Sequence, residues 1–77
     1  MNRQHTTVKY LCNILSPFQN IQIGDSKTGK GLTYISYLAD SGCEAVTVYG
    51  DYYVYGISPQ IDKDGEPFLM ILIELKV

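Results

Sequence analysis

The sequence predicts an α+β fold in which an N-terminal helix packs on a sheet of four or five antiparallel strands. Apolar residues take helical spacing near the N-terminus, and from Asn20 onward the period falls to two. Turn-rich runs at residues 25–31 and 62–66 then cut the remaining chain into short consecutive strands, a pattern that favours a meander. The sheet either lies open against the helix or curls into a small, partly open barrel. With 77 residues the chain is expected to be a single domain over 1–77, with residues 1–5 flexible, a helix over 6–16 and the antiparallel sheet over 20–75.

Each element has its own local warrant. Val8, Leu11, Cys12 and Leu15 fall on one helical face, Thr6 or Thr7 can cap the start, and Pro17 stops the helix by forcing Ser16 out of the α region. In Asn20-Ile21-Gln22-Ile23-Gly24 apolar and polar residues alternate, as in a strand with one buried face. After the turn at 25–31, Leu32-Thr33-Tyr34-Ile35-Ser36-Tyr37 is rich in β-branched and aromatic side chains and should pair back as a hairpin. Residues 36–41 suit one helical turn ended by Gly42. Ala45-Val46-Thr47-Val48-Tyr49 reads as a short strand, and Gly50-Asp51 as a tight turn into a strand over 52–58, where Gly56 marks a bulge or a close approach. Beyond the turn at 62–66, residues 68–75 are apolar almost throughout, which places the last strand centrally with both faces covered.

Composition narrows the function classes. Six basic residues against eight acidic ones give a net charge of −2, and Arg3, Lys9, Lys27, Lys30, Lys63 and Lys76 are scattered. Binding to duplex nucleic acid draws on clustered Lys and Arg against phosphates, so that partner is disfavoured. No apolar run approaches the ~20 residues that span a bilayer, so no membrane partner is expected. Nothing apolar follows Arg3 to serve as a secretion signal, and Cys12 and Cys43 form no disulfide or zinc pattern. The expected setting is a reducing cytoplasm with two free thiols. Only 18% of residues are charged, which leaves room for a protein-binding or self-association face.

Several motifs invite a chemical reading. Gly24-Asp25-Ser26-Lys27-Thr28-Gly29-Lys30-Gly31 fits the spacing of a phosphate loop, but Gly31 stands where the magnesium-binding hydroxyl belongs, and a β-like stretch follows in place of a helix. A charged hairpin tip accounts for the same residues, with Lys27 and Lys30 left as a weak anion contact. Asp62-Lys63-Asp64-Gly65 resembles part of a calcium loop; aligned on Gly65, the first and twelfth positions fall on Gln60 and Ile71, so a turn is the better account. Tyr49, Tyr52, Tyr53 and Tyr55 lie within seven residues. The plainer reading is that they suit half-buried strands, and they are also the best candidates in the chain for a stacking or protein-anchoring face. His5 has no ready catalytic partner, Cys12 sits on the apolar helix face, Cys43 lies beside Glu44, and Glu74 near the terminus is expected to face solvent. No nucleophile–base pair or carboxylate cluster is legible, so the chain is expected to be no enzyme and to carry no cofactor or metal.

The order of elements resembles small proteins encoded by phages and mobile elements of Gram-positive bacteria. The resemblance rests on Leu15-Ser16-Pro17-Phe18-Gln19-Asn20-Ile21-Gln22-Ile23, on the hairpin at 25–31, and on the closing Ile71-Leu72-Ile73-Glu74-Leu75. It implies an accessory protein in a bacterial cytoplasm, of a class that acts by binding host or defence proteins or by sequestering signalling nucleotides. It offers no functional residues to carry over, and the tyrosine-rich middle departs from it. The leading expectation is a non-enzymatic interaction protein, binding another protein or itself as a homo-oligomer. The alternative is a nucleotide-binding protein that stacks a base on tyrosine and meets phosphate with Lys27 and Lys30.

Overall fold

Helix α1 spans Val8–Ile14 and starts at the residue the sequence offers as a cap, since the Thr7 hydroxyl accepts a hydrogen bond from the Tyr10 amide at 3.2 Å. It is shorter than the predicted 6–16 because Leu15 is already extended, in step with the constraint Pro17 places on Ser16. The computed structural model describes residues 6–37, 39 and 44–75. After α1 come β1 (Asn20–Asp25), β2 (Ser36–Tyr37), α2 (Glu44–Thr47), β3 (Val54–Ile61) and β4 (Pro67–Ile73). The four strands form one open sheet in the order β2-β1-β4-β3, with α1 packed on one face. The expected 1–5 flexibility, the loop at Cys43 and residues 38, 40 and 41 of the expected helical turn over 36–41 lie outside the described residues. Ser36 and Tyr37 of that turn are strand and not helix, because they pair with β1.

The α+β class and the central last strand stand as the sequence predicts, but the connectivity is not a meander. β1 and β4 run parallel side by side, with Ile21 opposite Leu69 and Ile23 opposite Ile71. β3 and β4 form an antiparallel hairpin closed by the predicted turn, where Asp62 Oδ1 accepts from the amides of Asp64 and Glu66 at 2.9 Å each. The sheet does not close, so the barrel alternative falls away and β2 and β3 are its edges.

Two segments predicted as strand differ. Only Ser36 and Tyr37 of 32–37 join the sheet, antiparallel to β1. Upstream, the Thr33 hydroxyl takes the Ile23 amide at 3.1 Å and the Gln22 side chain donates to the Thr33 carbonyl at 2.8 Å, so side-chain bonds replace part of the ladder. Residues 45–49 are not a strand. Glu44–Thr47 form the single turn α2, Ala45 is buried in the core, and the chain turns through 48–51, so Gly50-Asp51 joins no hairpin. Here tertiary packing overrides the β propensity of Val46, Thr47 and Val48.

Ile21, Ile23, Ile71 and Ile73 lie side by side under α1, joined by Val8 and Cys12 from the helix. All four isoleucines and Val8 are fully buried, each contributing about 1.5–3 kcal/mol of transfer free energy. On the opposite face Met70 lies across Gly24, where a Cβ would stand 2.6 Å from the thioether sulfur. Glycine leaves Met70 that space, and both residues are buried.

Candidate functional site

The sheet is longer than the helix that covers it. Seven residues of α-helix span about 10 Å, whereas the seven residues of β4 span about 23 Å. Residues paired across a sheet share a face. The register sets Ile57 opposite Ile71, Pro59 opposite Leu69 and Ile61 opposite Pro67, so β3 continues the apolar face on which α1 packs. At this end the cover runs out, leaving Ile57 45% and Ile61 70% exposed. Ile14, at the end of α1, is exposed as well. No charged residue occurs from Val54 to Ile61.

The same strand presents a backbone edge. The Ile73 carbonyl accepts from the Ser26 amide at 2.8 Å on the β1 side, so Phe68, Met70 and Leu72 direct their backbone groups to β3, opposite Gln60, Ser58 and Gly56. Ile57, Pro59 and Ile61 therefore direct theirs outward. The bulge predicted at Gly56 is present as a register shift between Val54 and Gly56. That extra residue reconciles this parity with Val54, whose amide also points outward and donates to the Thr6 carbonyl at 2.7 Å. Pro59 has no amide hydrogen, and the outward position is the one where the ladder loses nothing by it.

The tyrosine cluster divides. Tyr49 and Tyr52 turn inward, half-buried against the core with ring centroids 5.7 Å apart at a tilted angle. Tyr53 and Tyr55 are 59% and 71% exposed. Tyr52 and Tyr53 line a cleft of about 250 Å³ together with Asp51 and Glu74, at the end of the sheet where β3 begins. Lys27 and Lys30 are exposed on the turn after β1, where the Lys27 amide donates to Asp25 Oδ1 at 2.9 Å. Neither lysine lines the tyrosine cleft, so the structure does not bring the two halves of the nucleotide alternative together. Cys12 is buried in the core and Glu74 is exposed, both as the sequence predicts.

Sequence reasoning misses the apolar end of β3, although the signal is in the sequence: Ile57, Pro59 and Ile61 alternate with polar residues, and among the described residues no second long helix covers them. Comparison with protein-family models, with curated proteins and with solved structures gives no match.

Proposed function

We propose that the chain is a non-enzymatic binding protein whose partner, another protein or a second copy of itself, seats on the uncovered apolar face of β3. The observation that carries this reading is the uncharged row of Ile57, Pro59 and Ile61, continuous with the core face and exposed where α1 ends. Exposed contiguous apolar surface of this kind characterises protein interaction sites, and Tyr55 beside it is of the residue type that most often anchors them. An accessory role in a bacterial cytoplasm, which the resemblance of 15–23 and 71–75 to phage and mobile-element proteins implies, fits a protein that acts by occupying a partner's surface. Nucleotide binding has less support, because neither Lys27 nor Lys30 lines the tyrosine cleft.

The test is the double substitution Ile57→Lys and Ile61→Lys, both at exposed positions. Affinity capture and sedimentation velocity are run on the wild-type and variant proteins at matched concentrations. The expected result is a defined partner or a concentration-dependent dimer in the wild type, lost in the variant, with the melting temperature of the monomer little changed. A wild type that stays monomeric and partnerless, or a variant that keeps the same complex, rejects the reading.

A further inference from the structure

The cleft where β3 begins has a chemistry of its own. Its described lining consists of two carboxylates, Asp51 and Glu74, and two phenol rings, Tyr52 and Tyr53. Among the described residues one ion pair forms, Lys9 to Asp51 at 3.5 Å, and the Asp51 side chain in it is 95% exposed. Such a surface pair is weak and yields readily to another cation. Among the described residues Glu74 has no basic partner. A phosphate placed here would meet two like charges, whereas a cation would meet opposite charge and the negative faces of aromatic rings. Two carboxylates are fewer than a calcium site uses, and no group of three metal-ligating side chains occurs among the described residues. At about 250 Å³ the cleft is below the ~300–1,000 Å³ of pockets that enclose a drug-sized ligand, and it suits a single head group on a methylene stem.

We infer that this cleft receives an alkyl-guanidinium or alkyl-ammonium group, the head of an Arg or Lys side chain on the protein that seats along β3. The inference rests on the proposed interaction role and adds the charge its partner must carry. Guanidinium is the better fit, because its planar face stacks on a tyrosine ring while its N–H groups reach a carboxylate. Tyr52 supplies a wall held in place by Tyr49 and the core, and Tyr53 and Glu74 stand at the mouth, where a side chain can enter from solvent.

The experiment is an amide chemical-shift titration of the full chain with ethylguanidinium and butylammonium chloride at constant ionic strength. Neutral butanol and inorganic phosphate serve as comparison probes. A contact of this size predicts saturable shifts at Tyr52, Tyr53 and Glu74 with a dissociation constant of ~1–10 mM. Glu74→Gln and Tyr53→Ser should each weaken binding by about fivefold while leaving the remaining spectrum in place. Absence of saturable shifts with either cation, equal shifts with butanol, or a preference for phosphate at these residues would overturn the inference. If the cations fail to bind while Ile57→Lys/Ile61→Lys still abolishes a complex, the cleft assignment falls and the β3 reading survives. If the cations bind and no complex exists, the β3 reading falls and the site is one for a free organic cation.

Discussion

Gly50→Ala should destabilise the protein, although glycine here is not serving a left-handed backbone. Among the described residues positive φ is confined to Gly29 and Gly65. At Gly50 the constraint is space: an added Cβ would stand 2.3 Å from the Val46 carbonyl oxygen and 3.5 Å from the Lys9 Cβ. The Lys9 Cβ is at ordinary contact distance, but the oxygen belongs to backbone of α2 and the Gly50 carbonyl holds the Lys9 amide of α1 at 2.9 Å. Either α2, or Gly50 with the α1 residue it holds, must therefore shift by roughly an ångström to admit a methyl group. Overpacking of this kind costs about 1–3 kcal/mol, partly offset by the ~0.4–1 kcal/mol that alanine gains by restricting the unfolded chain. The net loss of about 1–2 kcal/mol corresponds to a fall in melting temperature of about 5–15 °C for a domain of this size. Thermal unfolding followed by circular dichroism measures it, and the near-ultraviolet tyrosine signal should change too, because Tyr49 and Tyr52 flank the shifted residue. Gly65→Ala is the control. It meets no neighbour within 4 Å and suffers only from its φ of +83°, so it should cost about 1 kcal/mol without altering the tyrosine signal. A Gly50→Ala protein as stable as the wild type would refute the account of how the two helices join.

Three further substitutions probe separate parts of the fold. Thr7→Ala removes the cap on a seven-residue helix and should cost about 1 kcal/mol, read as a lower denaturant midpoint with an unchanged slope. Ile71→Ala empties a fully buried site between β1 and β3 and should cost about 2–5 kcal/mol, the largest loss of the set, by the same measurement. Pro59→Ala restores an outward amide on the edge strand, and light scattering should show more self-association, with monomer stability lowered by no more than about 1 kcal/mol as the unfolded chain gains freedom.

What the sequence revealed and what it hid have physical reasons. The helix was legible because Val8 and Cys12 are four apart and both end up buried, and the 62–66 turn because Asp62 and Gly65 carry its chemistry locally. β4 reads as central because a strand apolar on both faces needs cover on both. Its partner β1 was not legible. Nothing in the period of Ile21 and Ile23 states that they lie parallel to Leu69 and Ile71, a pairing across nearly fifty residues that only the whole sheet decides. Residues 45–49 misled because Val46, Thr47 and Val48 favour strands in isolation, whereas burial of Ala45 and the Gly50–Lys9 bond fix a helical turn. The tyrosine cluster was found as a group, yet its division into an inner pair and an outer pair follows from the chain reversal at 48–51, which the expected hairpin concealed. The nucleotide alternative joined Lys27 and Lys30 to that cluster, and sequence separation gave no warning that they line no common cleft.

The claim that β3 is the working surface is tested most directly by photo-crosslinking from within it. Benzoylphenylalanine is placed at Ile61, and separately at Thr28 on the exposed turn after β1, in the cells from which the sequence comes. The account predicts a discrete protein adduct from position 61, a second copy of the chain or one other protein, and none from position 28. No adduct from position 61, or the same adducts from both positions, would contradict it.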